Sequence, residues 1–231
     1  MKKNAFDSNP AGLDRRQLLK AAAATGLLTA AGALAPRFVM VAWAAGEEGQ
    51  AARAIVADLA KCTGCRLCEM FCSSFNASAD GLPPTLGNPR YARITVANFN
   101  PDMDVPVVCA MCPKPPCVEA CPVAEDPATG RRAIYRDKES GTIKNDAARC
   151  TSCGSCEAAC VTGTIRLDSL PGAAQKRPLG MCNLCGGDPQ CVKRCPAEAL
   201  SLAPVDENRE FYGQRAQAVF SVMAKRWYGG I

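Results

Sequence analysis

The chain has 231 residues, 48% hydrophobic and 21% charged, which suits one large or two small globular domains and excludes a disordered composition. Sixteen cysteines and no histidine exclude imidazole-held zinc, Ser/His and Cys/His nucleophilic arrangements and Cys-x-x-Cys-His haem attachment, so cysteine must carry whatever chemistry exists. The formal charge of +5 sits mostly at the start: beyond residue 44 the chain holds 21 basic and 20 acidic residues, net +1, and Arg131-Arg132 and Lys193-Arg194 read as solvated faces rather than a nucleic-acid surface.

Residues 1–44 are expected to be an export signal. In "DRRQLLKAAAATGLLTAAGALA" the adjacent Arg15 and Arg16 precede Leu18, Leu19, Lys20 and a weakly apolar run from Ala21 to Ala35, which resembles a twin-arginine signal. Pro36 and Arg37 interrupt that run before it reaches the roughly 20 apolar residues a membrane span needs. Ala42-Trp43-Ala44 offers a small-x-small cleavage site before Ala45, with an uncleaved anchor as the other reading. A periplasmic location follows, with membrane association only through a complex.

The strand-like "RAIVADLAKC" leads into Cys62, Cys65, Cys68 and Cys72, spaced Cys-x2-Cys-x2-Cys-x3-Cys. Residues 73–104 carry no cysteine and read as a Pro/Gly/Asn-rich loop followed by a strand in "YARITVANF", a connecting hairpin or else a partner contact. The second run is Cys109, Cys112, Cys117 and Cys121, followed by Pro122. A strand at Ala133-Ile134-Tyr135, a turn at "KESG" and a second strand in "GTIK" lead to the third run, Cys150, Cys153, Cys156 and Cys160, which repeats the spacing of the first. The fourth run, Cys182, Cys185, Cys191 and Cys195, is followed by Pro196 and the strand-like "ALSLAPV". Only the central gap varies, and it grows through turn formers, "PKPP" and "GGDP". In the tail, Val219, Val222, Met223 and Trp227 fall at helical spacing; this apolar face packs either on the protein itself or on a partner.

Three chemistries use cysteine in numbers. Disulfides suit an exported protein, but four repeats of Cys-x2-Cys make short strained loops rather than a staple. Zinc pairs two-cysteine knuckles and does not call for a third cysteine three residues on and a fourth after a helical turn. A cubane needs four converging thiolates: a thiol every third residue supplies three, and the x3 gap aims the fourth at a neighbouring cluster, as in the bacterial ferredoxin run. The runs should therefore work in pairs, giving four 4Fe-4S clusters with no cysteine left over. The strands between runs two and three make those two one ferredoxin-like module, and the strands flanking runs one and four suggest that the outer halves meet as a second.

The expected fold is thus α+β, small and loop-rich, with two nested bacterial-ferredoxin-like modules organised around metal clusters. Residues 45–104 and 170–204 form the outer module, 105–169 the inner one, and 205–231 a tail with a helix. The four runs, "KCTGC", "PPC" and "GGDPQCVKRCP" resemble the electron-transfer subunits of the dimethyl sulfoxide reductase and formate dehydrogenase type, over about residues 52 to 204. That resemblance implies one ligand set of Cys62, Cys65, Cys68 and Cys195, and another of Cys182, Cys185, Cys191 and Cys72. It implies for the inner module Cys109, Cys112, Cys117 with Cys160, and Cys150, Cys153, Cys156 with Cys121. Val161 stands where such relatives often have proline, which alters the packing expected beside Cys160.

No Gly-x-Gly-x-x-Gly, phosphate loop or isolated nucleophile with a base is present. The expected role is non-catalytic electron relay. The resemblance implies as partners a catalytic subunit of molybdopterin type and a membrane quinone-interacting subunit, with no nucleic acid and no small-molecule substrate of the chain's own. The alternative is a free periplasmic polyferredoxin serving several partners.

Overall fold

Short apolar pairs such as Ile94/Val96 and Met103/Val105 cannot build a broad sheet, and the computed structural model shows what they build instead: antiparallel ribbons of two strands each. It describes residues 52–78, 87–99 and 102–229. Arg15, Arg16, the Ala42-Trp43-Ala44 site and the centre of the 73–104 segment lie outside these. By its internal contacts the chain divides into Met1–Gly46 and Glu47–Ile231, and every described residue belongs to the second unit.

The first described strand pairs with the last. β1 (Arg53–Ala57) runs antiparallel to β8 (Leu200–Pro204), from Arg53 opposite Pro204 to Ala57 opposite Leu200. Between them, β2 (Ile94–Phe99) pairs with β3 (Met103–Val108), β4 (Ile134–Arg136) with β5 (Ile143–Asn145), and β6 (Arg166–Asp168) with β7 (Arg177–Leu179). In every run the helix that follows the loop contains the third cysteine: α1 (Leu67–Asn76), α2 (Pro116–Glu119), α3 (Ser155–Ala159) and α4 (Gln190–Lys193). Helix α5 (Ala216–Tyr228) ends the described chain. Among the described residues no helix is long and apolar enough to cross a membrane.

Several expected boundaries move. Tyr91 belongs to a 3-10 turn, Pro89–Tyr91, whose preceding Asn88 side chain accepts the Arg90 N–H at 3.0 Å, and the strand starts only at Ile94. The "KESG" hairpin is shifted by one or two residues, with Tyr135 opposite Lys144. β3 crosses residue 104, where the outer segment is expected to end, and it carries Pro106, tolerated because both strands of a two-stranded ribbon are edges.

Among the described residues three apolar cores result. Ala54, Ile55, Ile94, Val96 and Leu200 enclose Cys68, Cys72, Cys182 and Cys191, all from runs one and four. Ala133, Ile134, Ile143 and Ile165 enclose Cys117, Cys121, Cys156 and Cys160, all from runs two and three. The third core is where α5 lies on β3: Val219, Met223 and Ala224 bury Met103 and Val105, and Phe220 stacks on Phe99 at 4.4 Å between ring centroids. This corrects the expected helix face. Val219 and Met223 are buried, but Val222 is 43% and Trp227 40% exposed. At 100° per residue Val222 lies 60° to the far side of Val219, and Trp227 sits one turn beyond Met223 and outside the core that α5 forms with β3.

Candidate metal centres

Each run begins with one backbone kink. The residue just before the second cysteine is left-handed in all four: Gly64 (φ 63°), Met111 (φ 54°), Ser152 (φ 57°) and Leu184 (φ 51°). For a non-glycine residue this costs about 1–2 kcal/mol, and its recurrence at four equivalent positions means the same turn is being enforced each time. In the first run the glycine has a second reason: a Cβ on Gly64 would collide with the Asp104 carboxylate. After the kink the chain enters its helix, which carries the third cysteine and points the fourth elsewhere.

Where the fourth points is visible in the side chains. Cys195 joins Cys62, Cys65 and Cys68 in lining one small hollow, walled by Val96, Pro106, Pro196 and Leu200. Cys121 joins Cys150, Cys153 and Cys156 around another, walled by Val123, Ile134, Leu167 and Pro178. Cys72 lies within electrostatic reach of Cys182, Cys185 and Cys191, and the Asn76 amide approaches both the Cys72 and the Cys185 sulfur at 3.9 Å. Cys160 is gathered with Cys109, Cys112 and Cys117. Each quartet draws three cysteines from one run and one from its partner run.

All sixteen thiols are free. Burial pushes the Cys68, Cys117 and Cys191 thiols up to about 12 and Cys156 up to about 11; a neighbouring charge adds to the effect, Glu69 on Cys68 and Cys109 on Cys117. Individual sulfurs are nevertheless given donors. Arg93 N–H reaches Cys72 Sγ at 3.2 Å, Leu184 N–H reaches Cys182 Sγ at 3.4 Å, and Ala199 N–H reaches Cys195 Sγ at 3.4 Å. Cys160 is the extreme case. Burial pushes it up, but the Thr162 hydroxyl, the Ile165 N–H and the Thr164 hydroxyl pull it further down, and it ends below an ordinary thiol.

Guanidinium groups hold the loops in place. Arg132 donates to the Cys121 carbonyl at 2.7 Å, Arg136 to those of Gly141 (2.5 Å) and Cys112, and Arg215 to that of Cys160 at 3.3 Å. On α1, buried Glu69 accepts the Val96 N–H at 2.6 Å while Arg66 donates to the Val96 carbonyl at 3.0 Å, so one helical turn grips both backbone groups of a β2 residue.

The donor set fits iron-sulfur ligation. Thiolate quartets select Fe–S clusters or zinc. Among the described residues no three Cys, Asp or Glu side chains close in as a group that could hold a single metal ion, whereas two of the quartets line hollows and several sulfurs are met by N–H or O–H groups. A further sign is the Tyr212 hydroxyl, shut off from solvent and without a hydrogen-bond partner of ordinary geometry among the described residues, yet close enough to Cys112 to stabilise charge there. Glu69, Asn76, Thr162, Thr164 and Tyr212 are site residues that sequence reasoning missed. Only the Val161 departure pointed near any of them.

Residues 102–205 match the family described as a 4Fe-4S dicluster domain. The chain is 35% identical over 140 residues to the polyferredoxin-like subunit of the aliphatic sulfonate oxidoreductase of Pyrococcus furiosus, covering 58% of this chain and 66% of that one. It is 32% identical over 170 residues to the thiosulfate reductase electron transfer subunit PhsB of Salmonella typhi, covering 68% and 80%. To the electron transport protein HydN of Escherichia coli it is 32% identical over 173 residues, covering 68% and 90%.

Proposed function

The chain belongs to the family of 4Fe-4S ferredoxin-like electron-transfer subunits of oxidoreductases, and on that premise we propose that it is an exported relay of four such clusters in two nested modules. It is a non-catalytic subunit; the reaction belongs to its partner, which we infer to be a molybdopterin-type catalytic subunit, with a membrane quinone-linked protein at the other end. Bound clusters would supply one chemistry, the reversible holding of single electrons at potentials set by their surroundings.

The observation that carries the reading is the order of the quartets. Cys68 of the first quartet lies within electrostatic reach of Cys191 of the second. Cys182 of the second lies against Cys109, whose sulfur accepts the Cys182 N–H. Cys117 lies within electrostatic reach of Cys156 of the last. On this reading the four sites follow one another in that order, with the quartets of Cys65 and Cys153, the two exposed cysteines, at the ends of the series. The interior quartets have no exposed cysteine, whereas each end quartet brings one to the surface, where a partner's redox centre can approach. The nesting is supported by β1–β8, which ties the segment before run one to the segment after run four.

Metal analysis of the anaerobically purified chain tests it: about 16 iron and about 16 acid-labile sulfide per chain are expected of four cubanes. Zinc in place of iron sinks the reading.

A further inference from the structure

The quartet of Cys109, Cys112, Cys117 and Cys160 is served by side-chain hydroxyls from outside the cysteine runs. Thr162 Oγ1 lies 3.5 Å and Thr164 Oγ1 3.6 Å from Cys160 Sγ, and the two oxygens are 3.0 Å apart. All three residues are buried. A ligating thiolate has no proton to give, so in the loaded protein the sulfur only accepts. Each hydroxyl carries one hydrogen, and the charged sulfur is the strongest acceptor in reach. Either both hydroxyls point at it, or Thr164 donates to Thr162, which donates to sulfur in a chain that polarises the last bond.

Position leaves these threonines little freedom. At Gly180, which ends the β7 segment with φ 91°, an added Cβ would collide with the Thr164 carbonyl, so the backbone of Thr164 is clamped by a residue that must stay glycine. Tyr212 approaches from the segment before α5, beyond the stretch that matches the dicluster family. Its buried hydroxyl, with no hydrogen-bond partner of ordinary geometry among the described residues, is close enough to Cys112 to stabilise charge on that sulfur. Elsewhere among the described residues the Asn76 amide approaches the Cys72 and Cys185 sulfurs at 3.9 Å, and the Cys153 thiol donates to the Ser155 hydroxyl at 3.4 Å.

We propose that Thr162, Thr164 and Tyr212 are potential-setting residues that raise the reduction potential of the cluster held by Cys109, Cys112, Cys117 and Cys160. A reduced cluster bears one more negative charge than an oxidised one, and hydrogen bonds to its sulfurs stabilise that charge more. Burial alone would make this interior site hard to reduce; three hydroxyls offset the burial and keep it available to the sites on either side. This rests on the ligand reading above.

The test is a potentiometric titration followed by electron paramagnetic resonance on the full holoprotein, with pulsed measurements in deuterated water. Thr162→Val with Thr164→Val, and separately Tyr212→Phe, should each lower the potential of one and the same cluster while the other three stay put. Each should also remove exchangeable deuteron couplings from that cluster. Thr162→Ser with Thr164→Ser, which keeps the hydroxyls, should leave both readouts as in the parent chain. Unmoved potentials with intact iron, or shifts on two different clusters, overturn the proposal. If the valine variant loads poorly, Tyr212→Phe and the serine pair decide alone. Cys160→Ala guards the premise: if it costs no cluster, the ligand reading fails and not merely the donor role.

Discussion

Exchange of ligands between runs can be separated from run-by-run ligation with two double variants, because the two arrangements predict opposite results. The structure puts Cys72 with Cys182, Cys185 and Cys191, and leaves Cys62 with Cys195 in a different hollow. Cys72→Ala with Cys182→Ala removes two ligands from a single quartet, so one cluster is lost and about 12 of about 16 irons remain in intact four-iron clusters. Cys62→Ala with Cys72→Ala takes one ligand from each of two quartets, and only about 8 remain. If each run held its own cluster the values would be reversed: about 8 for the first pair and about 12 for the second. Alanine is preferred to serine because it cannot ligate. Mössbauer spectroscopy on isotopically enriched protein counts iron in four-iron clusters separately from three-iron remnants, so partial loss does not blur the comparison. Non-additivity of this kind is what residues sharing one site show, and the reversed pair of values would refute the exchange outright.

Replacing Arg15 and Arg16 with lysine should leave a cluster-loaded protein in the cytoplasm; normal periplasmic appearance of that variant, by fractionation, rules out the twin-arginine route. Met223→Ala should destabilise the chain by about 2–5 kcal/mol, the range for deleting a buried long apolar side chain, whereas Trp227→Ala, at a 40% exposed position, should stay within about 0.5 kcal/mol; denaturant midpoints of the loaded proteins decide, and equal losses would contradict the docking of α5 on β3. Each oxidised cubane with its four thiolates brings about −2, which turns the +1 of the chain beyond residue 44 into about −7. Electron-transfer rates to a partner met by diffusion should therefore change with ionic strength, and stopped-flow rates indifferent to salt would mean that the contact is already made in a permanent complex.

Much of this was legible because cysteine spacing is a local property. A thiol at every third position and a three-residue gap specify a kinked loop and one helical turn whatever surrounds them, and all four runs adopt that form. The hairpin between runs two and three was legible for a similar reason, since "KESG" marks its turn. What escaped was set by distant partners. β6 and β7 have three residues each, RLD and RPL, with no alternation to detect. Glu69 reads as a surface charge between cysteines, yet it is 2% exposed because Val96 N–H, 27 residues on, needs an acceptor. Val222 and Trp227 share the helical spacing of Val219 and Met223, but only the latter two meet Met103 and Val105 of β3, a long-range contact that spacing does not encode.

The thiols themselves tie folding to loading. Eight of the cysteines sit among the buried residues of the two cysteine-bearing cores, where neutral thiols pack as small apolar groups. Burial holds several of them far above the ordinary thiol range, as with Cys68, Cys117 and Cys191. Ligation requires the opposite state: each sulfur must give up its proton. The N–H groups of Arg93, Leu184 and Ala199 and the hydroxyls at Cys160 offset part of that cost, but they do so only once the chain is folded around the hollow, because each comes from a residue outside the Cys-x2-Cys unit it serves or from the kinked turn itself. An unfolded chain offers metal none of these donors, and in an oxidising compartment its neighbouring thiols would be open to disulfide formation instead. Loading is therefore favoured on a folded chain in a reducing compartment, which is the order of events that the proposed twin-arginine export requires.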